Sequence, residues 1–184
     1  SVNDPVFNWR TNVMGLLNIM IGLNKLKKKC IGVLITSDKC YKNLNRVILY
    51  KETDILGGVD PYSASKASSE ILFKSFYETY IKNKNKFLTV CTARAGNVIG
   101  GGDWSENRLI PDSMKSWLSN KKILIRSPNA TRPWQHVLEA VFGYLVLAKK
   151  MSKNKRLNGE SFNFSSNKIR NVSVLKFLEK NSYP

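Results

Sequence analysis

Acidic residues are scarce in this chain. Thirteen aspartates and glutamates stand against 30 lysines and arginines, a formal charge of +17 over 184 residues. Such an excess raises a nucleic-acid or other anionic partner as one hypothesis. The lysines gather at Lys25–Lys29, Lys82–Lys86, Lys121–Lys122 and Lys149–Lys155, at the ends of helical stretches or in loops. None of these runs interleaves regularly with aromatics, as a single-strand-binding groove requires. The surplus is read as a solvated lysine-rich surface with some field left to attract an anionic substrate, and no nucleic-acid partner is expected. Long apolar runs are also missing. The longest, Ile31–Ile35 and Val141–Ala148, fall far short of the ~20 residues that span a bilayer, so no membrane partner is expected. The N-terminus lacks a basic segment followed by an apolar one, so no signal peptide is visible. It lacks an initiator methionine as well, and upstream residues are expected. Cysteine is limited to Cys30, Cys40 and Cys91, and no pair has metal-ligand spacing. The expectation is no metal, and reduced, mostly buried thiols in a cytoplasmic protein. Finally, no G-x-G-x-x-G or G-x-x-G-x-x-G stands between a strand and a helix. Gly96 and Gly100–Gly102 follow a strand, but their spacing is wrong for a pyrophosphate cradle.

What is present is the composition of a soluble globular protein, 42% apolar with mean hydropathy −0.28, and of a length for one domain or one and a fragment. Asn8–Lys27 has apolar residues at helical period, with lysines in its last turn. Ile31–Ile35 and Phe87–Ala95 read as buried parallel strands. Asp60 is a good N-cap and Pro61 fits the first position of a helix that runs on through Tyr80. Leu109–Leu118 reads as a helix and Lys122–Arg126 as extended. Gln135–Val137 leads into a long helix through Lys150. Glu160–Ser165 reads as a strand and Val174–Glu179 as a short helix. Helix and strand alternate in the manner of an α/β, Rossmann-like, doubly wound parallel sheet. Ligands of such sheets bind beyond the carboxyl ends of the strands. Ser37-Asp38-Lys39 and Gly96-Asn97 fall at such ends, with Tyr62 just downstream.

Tyr62 and Lys66 stand four residues apart at the start of a helix, so their side chains share a face. An ammonium beside a phenol favours its ionised form and fits it to exchange a proton with a sugar hydroxyl. On spacing alone the pattern, which many helices contain by chance, is more often an exposed lysine beside a half-buried tyrosine, and it is the flanking sequence that decides.

Thr36–Tyr41 (TSDKCY), Asp60–Lys66 (DPYSASK), Ala93–Trp104 (ARAGNVIGGGDW), Arg108–Asp112 (RLIPD) and Ala130–Glu139 (ATRPWQHVLE), together with Thr11–Gly15 (TNVMG), resemble the CDP-glucose 4,6-dehydratases of the extended short-chain dehydrogenase/reductase superfamily. The resemblance spans nearly the whole chain in the same order. It implies NAD as cofactor, CDP-glucose or a related nucleotide sugar as substrate, and a homodimer or larger assembly. It also implies dehydration to CDP-4-keto-6-deoxyglucose, a step of deoxysugar and O-antigen-type polysaccharide synthesis.

Carried over residue by residue, Tyr62 is the base on the glucose 4-hydroxyl, and Lys66 its tuner and ribose anchor. Ser37 holds the 4-oxygen, or simply caps backbone. Asp38 is a general acid for the departing 6-hydroxyl, or an Asx-type turn residue. Related dTDP-glucose dehydratases carry a glutamate where Lys39 stands. Lys39 is either a base, if its pKa is depressed, or an electrostatic stabiliser of the enolate. Asn12 resembles an asparagine that organises a proton relay beside the cofactor, or is an ordinary polar helix residue. Asn97, Arg108, Arg132 and His136 match positions near the nucleotide sugar. Arg132 is suited to a bidentate diphosphate contact, and the lone histidine to a structural or orienting role. Trp104 and Trp134 are read as packing residues rather than cytosine stackers.

The expected division places the later half of an NAD-binding domain in residues 1–100 and mainly substrate-binding sequence in 101–184, part of a smaller domain, with 135–165 returning to the first. The glycine-rich opening unit of the family is not in this sequence. The chain on its own is therefore expected to bind NAD weakly and turn over slowly or not at all. The alternatives are a nucleotide-sugar 4-epimerase of the same superfamily, a basic nucleic-acid-binding module, or a non-catalytic fragment.

Overall fold

The computed structural model describes residues 3–44, 49–165 and 172–181. The chain opens with α1 (Pro5–Trp9), a π-helical turn (Arg10–Met14) and α2 (Gly15–Asn24). This stretch begins before the expected Asn8. Asp4 accepts the Phe7 amide at 2.8 Å and Pro5 supplies a first residue with preset φ. It also ends earlier, so the lysines stand beyond its last turn rather than in it. β1 (Cys30–Ile35) and a 3₁₀ turn (Asp38–Cys40) follow. Next come α3 (Pro61–Phe76), a second π-helical turn (Tyr77–Ile81) and β2 (Leu88–Ala95). Then come β3 (Asn97–Ile99), α4 (Leu109–Leu118), β4 (Thr131–Arg132), β5 (Trp134–His136) and α5 (Val137–Met151). The described chain closes with a 3₁₀ turn (Lys155–Leu157), β6 (Ser161–Phe164), β7 (Val172–Ser173) and α6 (Val174–Asn181).

These elements form two compact units. One draws on Ser1–Ala95 and Phe142–Phe164, the other on Gly96–Val141 and Ser165–Pro184. The first is built on a parallel sheet ordered β1-β2-β6, with Cys30 opposite Leu88 and Thr92 opposite Ser161. Successive strand residues point to opposite faces. Leu34, Leu88 and Val90 pack on Met20 of α2 and on Phe73 and Phe76 of α3. Val33, Cys91, Phe162 and Phe164 pack on Leu147 and Met151 of α5. Helices thus cover both faces of a parallel sheet, the doubly wound arrangement expected. Lysine-bearing loops meet at the amino ends of β1 and β2, where Asn85 donates to Asn24 O at 3.0 Å. Much of the positive charge therefore lies at the end of the sheet opposite Ser37.

The second unit has two short ladders, β3 parallel to β5 and β4 antiparallel to β7, together with α4 and α6. Exposure alternates along Lys122–Arg126, as in extended chain, yet these residues join no ladder. Trp134 stacks on Phe177 at 4.7 Å between ring centroids, the packing role expected. Trp104 departs from that expectation. It is 54% exposed, on a loop held by Asp103, Arg108 and Lys115.

Candidate active site

The site is assembled where the carboxyl ends of the strands meet the start of α3. Asp60 caps that helix, its Oδ1 accepting the Tyr62 and Ser63 amides at 3.0 Å each and its Oδ2 the Ser63 hydroxyl at 2.6 Å. The preceding loop passes so close that a Cβ on Gly58 would lie 2.5 Å from Ala64 N; only glycine fits. Pinned in this way, α3 presents Tyr62, 37% exposed, with the Lys66 ammonium 5.7 Å from its ring centroid. Lys66 is half-buried. Burial pushes its pKa below the ordinary lysine value, and the Glu70 carboxylate one turn on works against that shift. Among the described residues, neither the Tyr62 hydroxyl nor the Lys66 ammonium has a hydrogen-bond partner.

Ser37, Asp38 and Lys39 follow β1 directly. Ser37 is buried, caps the 3₁₀ turn by accepting the Lys39 amide at 3.2 Å, and donates to Asp38 Oδ1 at 3.3 Å. Asp38 and Lys39 form a loose ion pair at 3.6 Å with both side chains open to solvent, 26% and 39% exposed. The turn docks on α3 through Cys40 and Tyr41, which cluster with Ala67, the residue after Lys66. The structure therefore brings Ser37, Asp38, Lys39, Tyr62 and Lys66 onto two elements that pack together.

Asn12 sits on the π-helical turn, a distortion that recurs at functional sites. Its Nδ2 donates to Ser65 Oγ at 2.9 Å and to Asn8 Oδ1 at 3.2 Å. Asn8 donates in turn to Pro61 O at 3.0 Å. The Asn12 side chain therefore ties the first helical stretch to the helix of Tyr62 and Lys66.

Asn97, Arg108, Arg132 and His136 lie in the second unit. Asn97 opens β3, opposite Trp134. Arg108 flanks α4 and pairs with Asp103 at 2.9 Å. Arg132 lies on β4, its guanidinium donating to Thr131 O at 3.5 Å. His136 ends β5, and its Nδ1 accepts the Leu138 amide at 3.2 Å, an orienting contact at the start of α5. Among the described residues, no cluster of three His, Cys, Asp or Glu could hold a metal, and no helix is long and apolar enough to cross a membrane. Cys30, Cys40 and Cys91 are free thiols; burial pushes Cys40 and Cys91 up to about 12.

Sequence reasoning missed the charged group at the centre of this unit. Glu70, 1% exposed in its side chain, pairs with Arg94 of β2, 4% exposed, at 2.6 Å. Glu70 Oε1 accepts the Thr36 hydroxyl. Oε2 lies 2.9 Å from Thr92 Oγ1 and 3.1 Å from Ser161 Oγ. Arg94 also donates to Tyr41 OH at 2.7 Å and to Glu52 O at 3.1 Å. Tyr41 OH donates to Asn163 Oδ1 at 2.6 Å, and its ring stacks on Tyr50 at 4.8 Å. Burial would lower the Arg94 pKa, but the Glu70 contact outweighs it and holds the guanidinium charged. A signal was available: Arg94 falls inside a strand that reads as buried, and a buried charge needs a buried partner.

A parallel sheet covered on both faces, with a Tyr–Lys pair heading the helix beside its strand ends, is the Rossmann-type fold of the extended short-chain dehydrogenases/reductases. A family model described as GDP-mannose 4,6 dehydratase matches residues 1–181, and the chain belongs to that family. It is similar to the CDP-glucose 4,6-dehydratase of Salmonella typhimurium, 40% identical over 167 residues, covering 89% of this chain and 46% of that protein. Among solved structures, dTDP-glucose 4,6-dehydratase from Bacillus anthracis, in complex with NAD, matches with a TM-score of 0.71 at 26% identity, over 87% of this chain and 48% of that one. UDP-glucose 4-epimerase from Thermotoga maritima, with UDP-glucose, shares the fold with a TM-score of 0.78 at 22% identity, over 97% and 54%. The chain spans about half the length of these proteins.

Proposed function

We propose that this chain is part of a cytoplasmic NAD-dependent dehydratase converting CDP-glucose to CDP-4-keto-6-deoxyglucose for deoxysugar and O-antigen-type polysaccharide synthesis. The observation that carries the reading is the Tyr62–Lys66 pair, unpartnered among the described residues, on a helix that packs against a turn bearing Ser37, Asp38 and Lys39. An epimerase needs the tyrosine to exchange one proton. An elimination also needs an acid for the leaving hydroxyl and a group that tolerates charge building next to the ketone. The choice of CDP over other nucleotides leans on the relative from Salmonella typhimurium and on lysine, rather than glutamate, at position 39.

The residues present fit NAD at its ribose. A half-buried ammonium with no acceptor of its own is satisfied by vicinal hydroxyls, with Tyr62 beside it and Asn12 holding the helix that carries both. When bound, that cofactor supplies a hydride acceptor and donor. Tyr62 then takes the proton from the sugar 4-hydroxyl, while Ser37 donates to the 4-oxygen and keeps it near the phenol. The 4-ketone acidifies the C5 hydrogen. The Asp38 carboxylate, ionised in its pair with Lys39, takes that proton and hands it to the departing 6-hydroxyl, so that water leaves. Return of the hydride to C6, with a proton to C5, completes CDP-4-keto-6-deoxyglucose. The Lys39 ion pair with Asp38 suits an ammonium that stabilises the enolate electrostatically, rather than a base. Arg132 and Arg108 are the cations suited to diphosphate oxygens, with Asn97 as a polar partner and His136 as an orienting one.

The test is incubation of the protein, expressed from its whole reading frame, with CDP-glucose and NAD. A product lighter by one water supports the reading. A product of unchanged mass supports a 4-epimerase, and no product with any nucleotide sugar overturns both.

A further inference from the structure

Glu70 is the one carboxylate, among the described residues, that touches every strand of the first unit's sheet or the residue following it. It stands on α3, one turn beyond Lys66 and two beyond Tyr62. Its oxygens reach Thr36, directly after β1, then Thr92 and Arg94 of β2, and Ser161 of β6. Arg94 extends the grip to Tyr41, at the far end of the segment that begins with Ser37. The catalytic candidates thus stand on two pieces of chain, α3 and the segment after β1, and both are bound to one buried ion pair. Nothing about burial alone calls for this. A buried pair is often no more stable than apolar residues of the same volume, so its worth lies in the geometry it imposes.

We infer that Glu70 is a positioning residue: locked by Arg94, its carboxylate fixes the helix of Tyr62 and Lys66 against the Ser37–Lys39 segment and sets the place of the Lys66 ammonium. The activity arm of the inference rests on the dehydratase reading. Glu70 also acts on Lys66 by charge, opposing the effect of burial. Asp38 and Lys39, on the turn that docks on the same helix through Cys40 and Tyr41, are paired with one another.

Two variants of the whole protein separate positioning from plain stability. In Glu70→Gln, kcat should fall about 10²-fold through misplacement of reacting groups, while KM for the nucleotide sugar moves less than about 2-fold. In the paired variant Glu70→Leu/Arg94→Met, the melting temperature lost in Arg94→Met alone should largely return, while kcat stays low. Recovery of kcat along with the melting temperature would reduce the pair to a structural role and overturn the inference. So would an unchanged kcat in Glu70→Gln. Should the wild-type protein turn over no nucleotide sugar, the dehydratase reading fails, and a second measurement still decides this one. The Lys66 titration is followed by NMR with carbon-13 at lysine Cε, the signal assigned by its loss in Lys66→Met. Its midpoint should move down in Glu70→Gln; an unmoved midpoint overturns the inference.

Discussion

Two ion pairs of the first unit differ in almost every respect. Glu70 and Arg94 meet at 2.6 Å with side chains 1% and 4% exposed, and strand hydroxyls donate to the carboxylate as well. Asp38 and Lys39 meet at 3.6 Å with side chains 26% and 39% exposed. Burial strengthens a charge contact and makes a missing partner costly. Solvent exposure weakens it and leaves both groups able to meet a ligand. The first pair is therefore framework, and the second is available for chemistry. One kind of interaction thus occurs once where it holds position and once where both partners can meet a ligand.

Perturbing the open side should remove activity without touching stability. Tyr62→Phe deletes the phenolic hydroxyl from a side chain 37% exposed; turnover should fall about 10²–10⁴-fold with an unchanged melting temperature. A matching loss of melting temperature would place Tyr62 in the framework instead. Breaking the framework should do the reverse. Arg94→Met strands the Glu70 charge and should cost about 3–5 kcal/mol in urea unfolding. A cost under about 1 kcal/mol, the value of an exposed pair, would erase the contrast.

Lys39→Met and Asp38→Asn should each lower turnover about 10–10³-fold while changing unfolding free energy by less than about 1 kcal/mol. The smallest effect lies at the helix cap. Asp60→Ala should cost about 1 kcal/mol. Burial works to raise the Asp60 pKa, but bonds from Ser63 and Tyr62 hold it below the ordinary 3.8. The folded state therefore binds this proton less readily than the unfolded state does. The cap's stabilisation is complete above 3.8 and lost as pH falls through the depressed value. Stability against pH for wild type and Asp60→Ala should converge only in that acid range; a gap that persisted through it would exclude the carboxylate as its source.

Much of this was legible in the sequence because the signals are local. β-branched apolar runs marked β1 and β2, and Asp60-Pro61 marked the start of α3 within a residue. The i, i+4 rule put Tyr62 and Lys66 on one face. Asp4-Pro5 is the same signal as Asp60-Pro61, so the earlier start of the first helical stretch was readable too. What escaped depends on register between strands. Glu70 reads as a surface glutamate in a polar helix turn. It becomes a buried hub only because parallel pairing sets Thr92 opposite Ser161 and brings Thr36 alongside. β3 and β5 are three residues each, too short for periodicity to show. The π-helical turn at Asn12 leaves no compositional mark, since it is the bonding of the turn and not its residues that differs.

The central claim is that the open side carries out an elimination with Tyr62, Asp38 and Lys39. The most direct measurement is the mass of the sugar nucleotide recovered after the whole protein acts on CDP-glucose with NAD, for wild type and for Asp38→Asn/Lys39→Met. Loss of one water with wild type, reduced at least about 10-fold in the double variant, is the expected result. Turnover at unchanged mass, or loss of water at equal rates in both proteins, would contradict it.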